Sequence, residues 1–335
     1  MLSRESVLRF IMPPLATGMA AALAFSTVGQ LPAAELVEVR KIWDQPGHMS
    51  FFTDLIRYRD RWVCAFREAA THGSDDGRIR IVTSPDGQEW TSAARIDCPP
   101  PNKDLRDPKL SITPDGQLML TSTAYQPQPE CRSYVWFSDD VQKWSEAHSI
   151  GPPGEWLWRT EWHQGAAYVF GRSEKPHSYL QLYRSSNGKD FRPHGERQFD
   201  GIYVNETAPV FTKDGTCVTL LRRDSQSCTA QIGTSGPPYQ QWEWKDLGIR
   251  IGGPEMIQLP DGRFLATVRL YSPDEHTSLC WIDPKAGTLE EFLRLPSGGD
   301  TSYAGTVWHE GLVWISYYSS HEGKSSIYLE KVQVD

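Results

Sequence analysis

No block of like charges interrupts this sequence, and positive charge is in deficit: 34 Lys and Arg stand against 42 Asp and Glu, a formal net charge of −8. Nucleic acids and anionic membrane surfaces both call for a basic footprint, so neither is expected as a partner. A glycine-rich phosphate loop, a nucleophile elbow and a helix with paired histidines are all missing, which removes support for nucleotide binding, serine hydrolysis and zinc proteolysis. The six cysteines, Cys64, Cys98, Cys131, Cys217, Cys228 and Cys280, are not spaced as zinc ligands. No metal or cofactor is expected. Helical patterning is nearly absent, and past residue 34 no stretch is apolar enough to span a bilayer.

What is present is a core-forming chain with a heavy aromatic load. Hydrophobic residues make up 39% of the 335 positions, and 13 are Trp. Large flat side chains suit β-rich interiors and clefts that stack sugars. Residues 1–34 read as an export signal: Arg4 and Arg9 give a positive start, Phe10 to Phe25 is apolar, and Leu31-Pro-Ala-Ala34 offers small residues for cleavage. The competing reading is an N-terminal membrane anchor, but Pro13 and Pro14 interrupt the apolar run. Export implies a secreted or periplasmic protein, where disulfides are permitted. Cys217 and Cys228, on successive expected strands, are the first candidates for a bridge, with buried free thiols as the alternative.

The rest of the chain, residues 35–335, repeats. Turn glycines between apolar runs fall at Gly116, Gly165, Gly215, Gly262 and Gly311, spaced by 49, 50, 47 and 49 residues, and Arg59-Asp60-Arg61 holds the same place earlier. Six units with a period near 50 and several strands each have the spacing of propeller blades. Glu35 to Trp43 is an extra strand without a hairpin partner, expected to complete the last unit and hide a sheet edge.

A second marker recurs: Ser84-Pro-Asp86-Gly87-Gln-Glu-Trp90, Ser138-Asp-Asp140-Val-Gln-Lys-Trp144 and Ser185-Ser-Asn187-Gly188-Lys-Asp-Phe191. Its carboxylate or amide can bond its own turn while the aromatic packs back on the blade. This is the Asp-box pattern, and through it the chain resembles the sialidase superfamily of six-bladed β-propellers, although Val141 replaces the usual glycine in the second copy. The resemblance implies an all-β propeller in one domain, closed by the N-terminal strand, and a monomeric exo-glycosidase acting on glycans.

Blades running outward from an axis bring the starts of first strands and the ends of second strands to one face. That gathers Asp54, Arg106, Asp107, Glu161, Glu206, Glu255, Asp300 and Tyr303 with Arg67, Arg223, Arg269 and His321. Burying so much charge without a ligand is costly. Within the resemblance, Tyr303 falls where the sialidase nucleophile is expected and Glu206 where its activating base is. Arg223 and Arg269 match two of the arginines that hold the substrate carboxylate, and Asp75 or Asp76 is the candidate acid. The first arginine is missing, since Phe52-Thr53-Asp54 stands in its place, with Arg67 or Arg106 as the nearest substitutes.

The chemistry also follows without the family. Glycoside cleavage needs an acid at the leaving oxygen and a nucleophile or base on the other face. A phenol suits an anionic sugar, which would repel a carboxylate nucleophile, and the phenol needs a base. A two-carboxylate glycosidase, a lyase of acidic sugars and a silent glycan-binding propeller remain as alternatives.

Overall fold

The structure is a computed structural model describing residues 34–99, 103–125, 131–173 and 177–335. Of the expected export segment, all but Ala34 lies outside the described residues.

A first strand, β1 (Glu35–Trp43), precedes six antiparallel sheets. Blade 1 holds β2 (Met49–Tyr58), β3 (Arg61–Ala69), β4 (Arg78–Ser84) and β5 (Thr91–Ile96). Blade 2 holds β6 (Asp104–Ile112), β7 (Leu118–Tyr125), β8 (Arg132–Ser138) and β9 (His148–Ile150). Blade 3 holds β10 (Glu155–His163), β11 (Ala166–Ser173) and β12 (His177–Ser185), with β13 (Arg192–Pro193) and β14 (Phe199–Ile202) both pairing β12. Blade 4 is β15 (Val204–Phe211), β16 (Cys217–Arg223), β17 (Gln231–Ser235) and β18 (Glu243–Asp246). Blade 5 is β19 (Gly252–Gln258), β20 (Phe264–Leu270), β21 (His276–Asp283) and β22 (Thr288–Arg294). Blade 6 is β23 (Thr301–His309), β24 (Leu312–Ser319) and β25 (Ser326–Gln333), and β1 pairs β25 as its outer strand. This is the six-bladed, all-β arrangement expected, closed by the N-terminal strand.

The turn glycines end the first hairpin of blades 2 to 6, each at positive φ, and Arg59 does the same in blade 1 at 53°. The Ser-x-Asp turns sit between the third and fourth strands of blades 1 and 2. In the first, Ser84 Oγ accepts from Gly87 N at 2.8 Å, Asp86 Oδ1 accepts from Gln88 N at 2.9 Å, and Trp90 Nε1 donates back to Gly87 O at 3.1 Å. Asn187 plays the part of Asp86 in blade 3, accepting from Lys189 N at 2.9 Å.

Apolar clusters fill each gap between neighbouring blades. One joins blades 1 and 2 through Val63, Ile81, Leu110 and Trp136; another joins blades 6 and 1, where Trp62 and Trp314 stack at 4.3 Å. The innermost strands β2, β6, β10, β15, β19 and β23 touch in sequence and close on themselves around the axis. Gly305 permits one of these approaches, since a Cβ there would lie 2.0 Å from Leu55 N. Cys217 and Cys228 do not bridge: Cys217 points into the core between blades 3 and 4, and Cys228 is buried in the loop before β17.

Candidate active site

Every innermost strand carries a bulge at the same rung. The register slips between Phe51 and Thr53, Arg106 and Lys109, Leu157 and Thr160, Val204 and Thr207, Gly252 and Glu255, and Ser302 and Gly305. A bulge frees a residue from the ladder and re-aims its side chain. Here it turns Phe52, Asp107, Trp158, Glu206, Gly253 and Tyr303 toward one mouth of the channel. Phe52, Asp107 and Tyr303 take φ of 51°, 54° and 51°. Non-glycine residues in that region carry strain, which persists where surrounding structure imposes it.

Tyr303 is where the bulges meet. Its ring centroid lies 4.8 Å from that of Phe52 and 6.1 Å from that of Trp158, and its hydroxyl donates to Glu206 Oε1 at 2.7 Å. Gly253 leaves room behind it, since a Cβ there would come within 2.6 Å of the tyrosine ring. Arg222 joins the pair, with Nη1 at 2.8 and 2.9 Å from the Glu206 oxygens and 2.8 Å from Tyr303 Oη, while Nη2 donates to Asp224 at 2.8 Å.

Burial holds the Tyr303 phenol well above its ordinary pKa, Glu206 adds to the rise, and Arg222 opposes it. The phenol therefore keeps its proton until a base removes it, and Glu206 is within hydrogen-bond reach. Asp107 is pushed up to about 7, first by burial and then by Glu206, against the pull of Arg106, Lys109 and Arg172. Its Oδ1 has no partner among the described residues, and neither does Arg222 Nε or Trp158 Nε1. Buried polar atoms without a partner are uncommon, and three of them gather around Glu206 and Tyr303.

The rim beside Tyr303 is built from blades 5, 6 and 1. Arg269 donates from Nε to Thr301 O at 2.7 Å and from Nη2 to Tyr318 Oη at 2.9 Å and Asp300 Oδ1 at 3.2 Å. Tyr318 donates to Asp300 Oδ1 at 2.6 Å, and His72 Nδ1 lies 2.5 Å from Asp300 Oδ2. Burial pushes the Asp300 carboxyl up, but His72, Tyr318 and Arg269 outweigh it, and the net is a pKa below the usual range. Among the described residues no group of three or more His, Cys, Asp or Glu is placed to hold a metal ion.

The expected site residues divide. Tyr303, Glu206, Arg269, Asp107 and Asp300 come together at the mouth. Asp54, expected there, is fully buried one layer deeper: the bulge gives the mouth to Phe52, and Asp54 receives Arg159 at 2.8 Å and Leu110 N at 2.6 Å. Glu255 also pairs with Arg159 in that layer. Glu161 and Glu255 line a cavity of about 400 Å³ together with the far ends of the innermost strands, such as Val307 and Gln258. Arg67 is fully buried and spent on Asp104 at 2.7 Å, Thr71 O and Ser74 O, so it offers no edge to a ligand. Arg106 pairs with the same Asp104 and lies over Tyr125. Arg223 points away from the axis, donating to Ile202 O, and Arg222 takes its expected place.

Asp76 is folded into its own loop, accepting from Ala70 N at 3.1 Å and Ser74 Oγ at 2.5 Å, and Asp75 is exposed beside it. His321 belongs to the β24–β25 turn, where it meets Ser319 Oγ at 2.8 Å and packs on Tyr328. Sequence reasoning passed over His72, the imidazole of the loop that reaches the mouth. It also passed over Phe52 and Trp158, whose signal is only their position beside strand starts.

No family model and no curated protein matches this chain. Solved structures share its fold. A protein of unknown function from Dyadobacter fermentans superposes with TM-score 0.79 at 18% identity, covering 91% of this chain and 100% of that one. An α-L-arabinofuranosidase from Fusarium graminearum, bound to an iminosugar inhibitor, gives 0.70 at 11% identity over 89% and 98%. Trypanosoma rangeli sialidase gives 0.67 at 11% identity over 90% of this chain and 60% of its own length. Neighbours of this fold thus include propeller glycosidases that act on different sugars.

Proposed function

We propose that this protein is a glycosidase that releases a terminal sugar, with Tyr303 as nucleophile and Glu206 as the base that takes its proton. The observation that carries this is the 2.7 Å hydrogen bond from Tyr303 Oη to Glu206 at the convergence of the six bulges. A phenol has no reason to sit strained and bonded to a carboxylate at a channel mouth for packing alone. We further propose an acidic sugar. In support, Arg222 touches the Tyr303 oxygen and the Arg269 guanidinium lies 5.7 Å from its ring. Export to the periplasm or exterior belongs to the same reading, and N-terminal sequencing of the mature protein tests it.

A panel of terminal glycosides covering sialic acids, related keto-sugars, uronic acids and neutral sugars tests the function. Turnover of one acidic member, falling by on the order of 10³-fold in both Tyr303→Phe and Glu206→Gln with the fold intact, is the expected result.

A second reading is favoured by Asp107, whose carboxyl, pushed up to about 7, sits beside Glu206. One protonated and one ionised carboxyl are the pair that two-carboxylate glycosidases use. Full activity in Tyr303→Phe, with preference for a neutral sugar, would select it.

A further inference from the structure

We propose that His72 is the acid and base of the reaction, offering Nε2 to the leaving oxygen while Asp300 holds Nδ1. This rests on the Tyr303 and Glu206 reading and supplies the proton donor that reading lacks.

The loop between β3 and β4 carries three groups able to do this work. Asp76 is spent on Ala70 N and Ser74 Oγ, and Asp75 is exposed beside it. His72 is tied to the mouth through both its ring and its backbone. Nδ1 lies 2.5 Å from Asp300 Oδ2, the ring meets Phe51 and Phe52 edge-on at 5.2 Å each, and its carbonyl accepts from Arg106 Nη2 at 3.4 Å. A single ring, Phe52, separates it from Tyr303.

Asp300 is itself fixed by Tyr318 Oη and Arg269, so it cannot swing with the imidazole. A carboxylate locked on Nδ1 sets the tautomer and steadies the imidazolium, leaving Nε2 to exchange the proton. Nε2 has no hydrogen bond among the described residues, and the side chain is 48% exposed, open to a substrate arriving from solvent. The charged groups that face His72 are Asp300 from the start of blade 6 and Arg106 from blade 2, with Arg269 of blade 5 behind Asp300.

The step balances. Tyr303 Oη bonds to the anomeric carbon as its proton passes to Glu206. The glycosidic bond breaks, its electron pair goes to the leaving oxygen, and that oxygen takes the Nε2 proton. Water then attacks the same carbon and gives a proton to Nε2, while the Tyr303 bond breaks and the phenol recovers its proton from Glu206.

The test compares kcat/KM for the 4-nitrophenyl and methyl glycosides of the sugar that the panel selects. An aryl leaving group departs without protonation, whereas an alkoxide needs the acid. His72→Ala and His72→Gln, both on a half-exposed loop, should lose ~10²-fold or more on the methyl glycoside and under ~5-fold on the aryl one, and the alkaline limb of the pH profile should disappear. Asp300→Asn should show the same selectivity in weaker form. An equal loss on both substrates with the alkaline limb unchanged would overturn the proposal. So would the selective loss appearing in Asp107→Asn while both His72 variants stay at the unaltered level. Failure of the underlying reading is recognised separately, by full activity in Tyr303→Phe.

Discussion

Two layers of charged side chains lie one below the other in the same channel, both built from arginines and carboxylates on its inner strands. In the lower layer Arg159 of blade 3 bridges Asp54 of blade 1 and Glu255 of blade 5, and Lys109 donates to Thr53 O at 3.2 Å. Its backbone is ordinary, with none of these residues at positive φ. The upper layer has left-handed Phe52, Asp107 and Tyr303 and a tyrosine that solvent can reach. Charge is common to both layers, so charge does not mark the site. Unpartnered polar atoms do not mark it either, since Arg159 Nε in the lower layer has no partner among the described residues; backbone strain separates the two layers.

The largest expected effect strikes the lower layer. Arg159→Met leaves two buried acids without their cation, and the folded state should lose about 3–5 kcal/mol, read as a lower denaturation midpoint. Burial already raises Glu255 to about 8, with Arg159 holding it down. Removing Arg159 should push Glu255 further up. Unchanged stability would mean that the lower layer is not the fastening described here.

A smaller effect should run the opposite way in the upper layer. The folded pKa of Asp107 is raised to about 7, so its contribution is fully present below the unfolded value near 4 and is lost as pH rises through 7. Asp107→Asn removes that loss. Urea titrations should find the variant more stable by on the order of 2 kcal/mol at pH 8, with the gain vanishing near pH 4. A variant less stable at pH 8 would show that the carboxylate is structurally required.

The smallest effect lies outside both layers. Ser84→Ala removes the hydroxyl that accepts from Gly87 N and should cost about 1 kcal/mol while leaving turnover untouched. A loss of activity beyond the loss of folded protein would tie the outer turns to the mouth.

The blades were legible because their punctuation is local. A turn glycine or a Ser-x-Asp turn is chosen by a few neighbouring residues, and Gly116 through Gly311 mark the hairpins that form. The bulges leave no such trace. One extra residue reverses which side chains of an innermost strand face the axis, which is why Asp54 lies below the mouth. Tyr303 and Glu206 were singled out through the family resemblance, which needs only their place at strand starts and no knowledge of the bulges. His72 was passed over because what distinguishes it is a contact with Asp300, 228 residues away, that only the closed ring creates.

The seam between β1 and β25 governs when the molecule can form. Glu35 pairs with Gln333, so one of the earliest described residues waits for one of the last. Contacts of such separation form late and slowly, because the intervening chain must be ordered before they reward it. The gap beside blade 1 stays open, and Trp62 remains without Trp314 of β24, until blade 6 arrives. The meeting of Tyr303 with Phe52 crosses the gap between blades 6 and 1, so the mouth of the channel is also completed late in folding.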